Sequence, residues 1–64
     1  MGAKIKALRR YKGLTQQQLA DACGIHRITL ARIEHGGYSP SVDVAAKIAV
    51  ALGVTIDELV REVG

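Results

Sequence analysis

The sequence predicts an all-α domain of five short helices, and three observations carry that prediction. Apolar residues recur three and four positions apart along most of the chain, and no segment shows sustained strand alternation. Thr15, Ser41 and Thr55 each stand at the head of a helical stretch as N-caps. In TQQQ (15–18) and TIDE (55–58) a Gln or Glu follows three residues later, the pattern of a capping box. Glycine closes four of the stretches, at Gly13, Gly24, Gly36 and Gly53.

Taken in order, the first helix runs from about Ala3 to Lys12, with Ile5 and Leu8 turned inward and Tyr11 packing on the same helix. The second spans Gln16 to Cys23. Leu19 and Cys23 lie four apart on its inner face, and Ala20 beside Leu19 is small enough for another helix to approach closely. At Gly24 the chain must turn sharply. A left-handed backbone is expected there, which glycine adopts without a Cβ clash. The third helix spans Arg27 to His35, with Leu30 and Ile33 three apart on its inner face, and Gly36 and Gly37 stop it. Tyr38, Ser39 and Pro40 make a loop. The fourth helix follows the Ser41 cap and carries Val44, Ile48 and Leu52 on one face. The fifth follows Thr55 and carries Leu59, Val60 and Val63.

The bulk composition fits one domain over residues 1–64. With no Phe and no Trp the core must be aliphatic. A single cysteine excludes an intrachain disulfide and suits a reducing compartment. The N-terminal stretch MGAKIKALRRYK has no apolar run. No stretch approaches the roughly 20 apolar residues of a membrane span. A cytoplasmic protein without membrane contact is therefore expected. Charge is unevenly placed: residues 1–35 hold seven of the nine Lys and Arg against two acids, and residues 36–64 hold the other two against four. A basic half of this kind suits a surface that meets phosphates.

The segment from Gln16 to His35 is the most informative. It reads as two helices joined by a tight turn, the second apolar on one side and carrying Arg27, Thr29 and Arg32 on the other. A helix so braced can enter the major groove of DNA. Arg is the usual bidentate partner of guanine O6 and N7, Thr can donate or accept at a base edge, and Ile28 can offer apolar contact to a thymine methyl. Helix N-termini present free N–H groups to phosphate. Glu34 reads as structural, holding a basic side chain of the first helix such as Arg9 or Arg10. Tyr38 could reach a phosphate through its hydroxyl or cover the edge of the core.

Cys23, His26 and His35 form C-x2-H-x8-H. The two histidines would lie at opposite ends of one helix, roughly 13 Å apart at 1.5 Å per residue, which one metal ion cannot bridge. Cys23 reads instead as a small core residue. No acid is placed to orient a Cys–His pair. No metal, no cofactor and no enzyme activity are expected.

The pieces LRRYKGLTQQQLA, GIHRITLARIEHG, SPSVD and IAVALGVTIDEL, in this order and spacing, resemble the Cro/C1-type (XRE) helix-turn-helix family over about Ile5 to Val60. The resemblance implies a compact five-helix, lambda-repressor-like DNA-binding domain with the motif at about 16–35. It also implies a sequence-specific transcriptional regulator of the repressor type. The third helix would lie in the major groove of double-stranded DNA, usually as a homodimer on a near-palindromic operator. Carried over, base edges fall to Arg27, Ile28, Thr29 and Arg32, and phosphates to Gln16, Arg10, His26, Tyr38, Ser39 and Ser41. Two positions depart from the family pattern. His26 stands where Ser or Thr often caps the third helix, and Ile28 is apolar among the readers and could instead pack on the protein. The fifth helix, through Leu59, Val60 and Val63, is the candidate dimer surface, unless those side chains close the monomer core. The rival is a helical protein-interaction module, such as an antitoxin or adaptor that keeps the fold. Such a face would favour exposed aromatics, and the chain has two Tyr in all.

Overall fold

The structure is a computed structural model that describes residues 1–61. It has five helices among these residues: α1 (Gly2–Tyr11), α2 (Gln16–Cys23), α3 (Arg27–His35), α4 (Val42–Leu52) and α5 (Ile56–Val60). No strand occurs among the described residues. α1 packs on α3 and α4, α2 packs on α3 and α4, and α5 closes against α4.

The caps explain why the helices start where they do. Thr15 Oγ1 accepts from the Gln18 N–H at 3.0 Å, and Gln18 Oε1 accepts from the Thr15 N–H at 2.8 Å, a complete capping box on α2. Ser41 Oγ accepts from the Val44 N–H at 3.2 Å and starts α4. Thr55 Oγ1 accepts from the Glu58 N–H at 3.1 Å, which supplies the forward bond of the second box. At the far end of α2, Gly24 has φ +68°, and Ile25 N–H reaches back to the Ala20 carbonyl at 3.0 Å. That closure satisfies carbonyls that the helix leaves over, and the same closure recurs after α3 and α4.

The core is aliphatic. Ile5, Leu19, Leu30, Ile33, Ile48, Leu52 and Leu59 are fully buried, with Ala20, Ala49 and Cys23 filling between them. Burying each of the larger side chains is worth about 1.5–3 kcal/mol. Leu8, Ile25 and Val44 are partly buried against this cluster. Burial pushes the Cys23 thiol up from its ordinary range, and the charge of Lys47 opposes that shift.

Three expectations are corrected. α1 begins at Gly2 and ends at Tyr11, a residue earlier than the spacing suggests, because the Met1 carbonyl accepts from the Ile5 N–H and starts the helix there. Tyr11 does not pack on its helix. It is 88% exposed at the last turn, where no neighbouring element covers it. Leu59 is fully buried and belongs to the core, so it cannot form a dimer surface. Val60 is 49% exposed, and Val63 lies outside the described residues. His26 occupies the N-cap of α3, and its side chain makes no capping bond there.

Candidate nucleic-acid interface

α3 is held by Leu30, Ile33 and Glu34, all buried. Those anchors turn the opposite side outward. Arg27, Ile28, Arg32 and His35 are exposed there, with Ala31 half-buried among them. Together with Gln16 from the first turn of α2 they line one shallow groove. A second depression, shared at Arg27 and Ile28, runs along α2 past Gln17, Asp21 and His26. Ile28 is 59% exposed, so it does not pack on the protein. Thr29 stands about 100° further round the helix and is half-buried at its flank, outside both depressions.

The first turn of α3 borders this surface with its N-cap side chain uncommitted. The N–H groups of that turn, and the positive end of the helix dipole, are therefore available to an anion. On α2, the Gln17 amide donates to Asp21 Oδ1 at 2.8 Å, which occupies the acid that lines the second depression.

Behind the groove sits a buried ion pair. Arg9 of α1 donates from Nε to Glu34 Oε2 at 2.8 Å and from Nη2 to Glu34 Oε1 at 3.2 Å. Its Nη1 donates to the Leu14 carbonyl at 2.8 Å. Glu34 Oε1 also accepts from Gln16 Nε2 at 3.1 Å. The structural role expected of Glu34 is therefore met by Arg9, while Arg10 is exposed on the last turn of α1. Among the described residues no buried side-chain nitrogen or oxygen lacks a partner.

The loop after α3 starts beside the groove at Gly37 and then folds back. Tyr38, Ser39 and Pro40 meet the start of α1 and the end of α3 around Gly2 and Ile33. Tyr38 and Ser39 are exposed, and so is Ser41 at the head of α4. The structure thus brings Gln16, Arg27, Ile28 and Arg32 to one surface with His26 at its edge, and sets Thr29, Tyr38 and Ser39 apart from it. His35 was weighed in the sequence as a metal ligand only, and not as part of this surface. Its signal was periodicity, since it lies four residues after Ala31 and seven after Ile28. Cys23 is buried, and among the described residues no group of three or more His, Cys, Asp and Glu is placed to hold a metal. No described helix is long and apolar enough to cross a membrane.

Comparison with known proteins places this geometry. A family model described as helix-turn-helix matches residues 5–59. The immunity repressor protein of Bacillus phage phi105 is 40% identical over 62 residues, covering 97% of this chain. The chain spans 43% of that repressor's length. Among solved structures, the restriction-modification controller protein C.AhdI from Aeromonas hydrophila superposes with a TM-score of 0.87 at 34% identity. The match covers 91% of this chain and 88% of that one. The biofilm master regulator SinR, solved in complex with DNA, superposes with a TM-score of 0.88 at 30% identity, covering 94% of this chain and all of that one.

Proposed function

Because the chain belongs to the helix-turn-helix family of the Cro/C1 (XRE) type, we propose that it is a double-stranded-DNA-binding transcriptional regulator of the repressor type. The observation that carries this is the outward face of α3. Arg27, Ile28 and Arg32 stand exposed on it while Leu30 and Ile33 lock the helix from behind. Arg27 and Arg32 supply guanidinium forks for guanine edges, and Ile28 supplies apolar contact for a thymine methyl. Thr29 reaches a base edge only from the flank of the helix. Gln16, Arg10, His26, Tyr38, Ser39 and Ser41 meet the phosphate backbone, which positions the domain without reading sequence. The relatives carry names of repressors and controllers, which favours binding over catalysis. Bound over a promoter, such a domain acts by excluding polymerase, in the cytoplasm where the DNA is.

Two copies act together in this reading. Adjacent major-groove half-sites lie about 34–36 Å apart on one face of the duplex. The longest extent of the described chain is 29 Å, too short to enter both. A homodimer on a near-palindrome solves this, with Val60 of α5 in the contact.

The test is selection of bound duplexes from a random library at about 150 mM salt, a concentration at which non-specific phosphate binding is weakened. The wild type should enrich a near-palindrome. Arg27→Ala should cost about 1–3 kcal/mol and relax preference at one base position. An Arg27→Ala/Thr29→Ala variant should lose or change the consensus. Unchanged enrichment by that variant would remove α3 from base readout.

A further inference from the structure

We propose that Glu34, a residue with no access to DNA, is a positioning residue for the DNA-backbone contact, acting through the Gln16 amide. The inference rests on the DNA-binding reading above. Gln16 is the first residue of α2 and lines the α3 groove, yet its side chain is not loose. Its Nε2 donates to Glu34 Oε1 at 3.1 Å.

The chemistry of the acceptor decides which way the amide faces. An ionised carboxylate accepts and cannot donate, so the amide must turn its NH2 end inward. One N–H is then spent on Glu34. The other remains at the groove, where a phosphate oxygen needs a donor. The opposite rotamer would set the amide oxygen against the Glu34 carboxylate, two acceptors face to face, so the anchored N–H fixes where its twin lies.

Arg9 makes this arrangement tolerable. A bare carboxylate behind a phosphate contact would repel the backbone it is meant to help hold. Here both carboxylate oxygens are met by the guanidinium, at 2.8 and 3.2 Å. The side chains of Arg9 and Glu34 are only 10% and 3% exposed, so the pair stays out of bulk water. Arg9 also grips the Leu14 carbonyl, just before the head of α2. One buried guanidinium therefore sets the start of α2 against α3, and one carboxylate orients the amide that projects from it.

Two double variants separate orientation from charge and from folding. Arg9→Met/Glu34→Leu replaces the pair with apolar side chains of similar size, a change buried pairs often tolerate. Arg9→Met/Glu34→Gln removes the same charges but keeps an oxygen that can accept from Gln16. The probe is the duplex recovered from the library selection, alongside a scrambled duplex. Arg9→Met/Glu34→Leu should bind both duplexes about three- to tenfold more weakly, the size of one hydrogen bond. Gln16→Ala should give the same loss, and the combined triple variant no further loss. The slope of affinity against salt should not move, because a neutral amide releases no counterion. Arg9→Met/Glu34→Gln should recover most of the affinity.

Equal binding by the wild type and Arg9→Met/Glu34→Leu would overturn the inference, and so would losses that multiply. If the wild type itself bound no duplex, the DNA-binding reading would fall and take the inference with it. A readout without DNA or variants guards against misfolding. In the free wild type, one Gln16 side-chain N–H should exchange with solvent more slowly than its twin and than either side-chain N–H of Gln18, whose amide accepts through its oxygen. Two protons that both exchange as fast as those of Gln18 would also overturn the inference.

Discussion

Cys23 shows how far one side chain's surroundings can be tested. It is the only thiol in the chain, 2% exposed at the end of α2, and burial raises its pKa while Lys47 pulls the other way. A thiol that is harder to ionise when folded favours the native state below its unfolded pKa. That contribution is lost as pH climbs through the folded value. Stability should therefore fall on the alkaline side, from about pH 8.5 upward. Cys23→Ala should flatten that part of the profile relative to wild type in denaturant melts at stepped pH. Identical alkaline profiles would show that the thiol does not contribute. At this scale much of the exposed face of α3 could be read from residue types alone. Arg27 and Arg32 emerge on the outer face because Leu30 and Ile33 claim the inner one. The choice of Arg9 over Arg10 for Glu34 was also implicit, because Arg9 lies four residues after the buried Ile5 and shares its face. The hydrogen bond from Gln16 was not legible, since it joins residues 18 apart across two helices.

Among the elements, α1 is placed by close contact rather than by its cap. A Cβ built on Gly2 would overlap the Ile33 carbonyl oxygen and come within 2.8 Å of the Glu34 carbonyl oxygen. Backbone cannot yield as a flexible side chain can. Gly2→Ala should thus cost about 1–3 kcal/mol through displacement of α1. In thermal melts each kcal/mol lowers Tm by about 4–8 °C in a domain of this size. Gly37→Ala is the control, since open space surrounds that position. If both variants melted together, the close approach at Gly2 would not be what seats the helix. The bounds of α2 and α3 agree with the sequence reading because their ends carry local chemistry, a capping box and αL glycines. The start of α1 has no such signal, and what permits it is the carbonyl track of a helix about thirty residues away. α5 was ambiguous for another reason. In a five-residue helix the phase is undetermined by two apolar neighbours, and only tertiary packing shows that Leu59 turns in and Val60 out.

For the whole molecule, the proposed two-part site has to be covered by bodies 29 Å long. Val60→Glu places a charge on the exposed residue of α5 and leaves Leu59 and the core intact. It should abolish cooperative filling of two half-sites while single half-site binding persists. Titration of full and half operators, with light scattering for the mass of each complex, would measure both. Unchanged cooperativity would move the dimer contact away from α5. The all-helical architecture was legible because local periodicity and caps dominate so small a chain. The partner surface was not, because Val42, Val50 and Val60 are all exposed apolar residues and nothing in sequence ranks them.

The tie made by Arg9 has one further consequence, for how long the reading surface lasts. α1 supplies one fully buried apolar side chain, Ile5, and no residue to the groove on α3. Yet if α1 detached, Glu34 would be left as a buried charge without its partner, and the support behind Gln16 would go with it. Opening of α1 and loss of the DNA face are then one event. The lifetime of the competent surface is set by a helix that touches none of its bases, and bound DNA, by holding α3 and Gln16 in place, would hold α1 closed in turn.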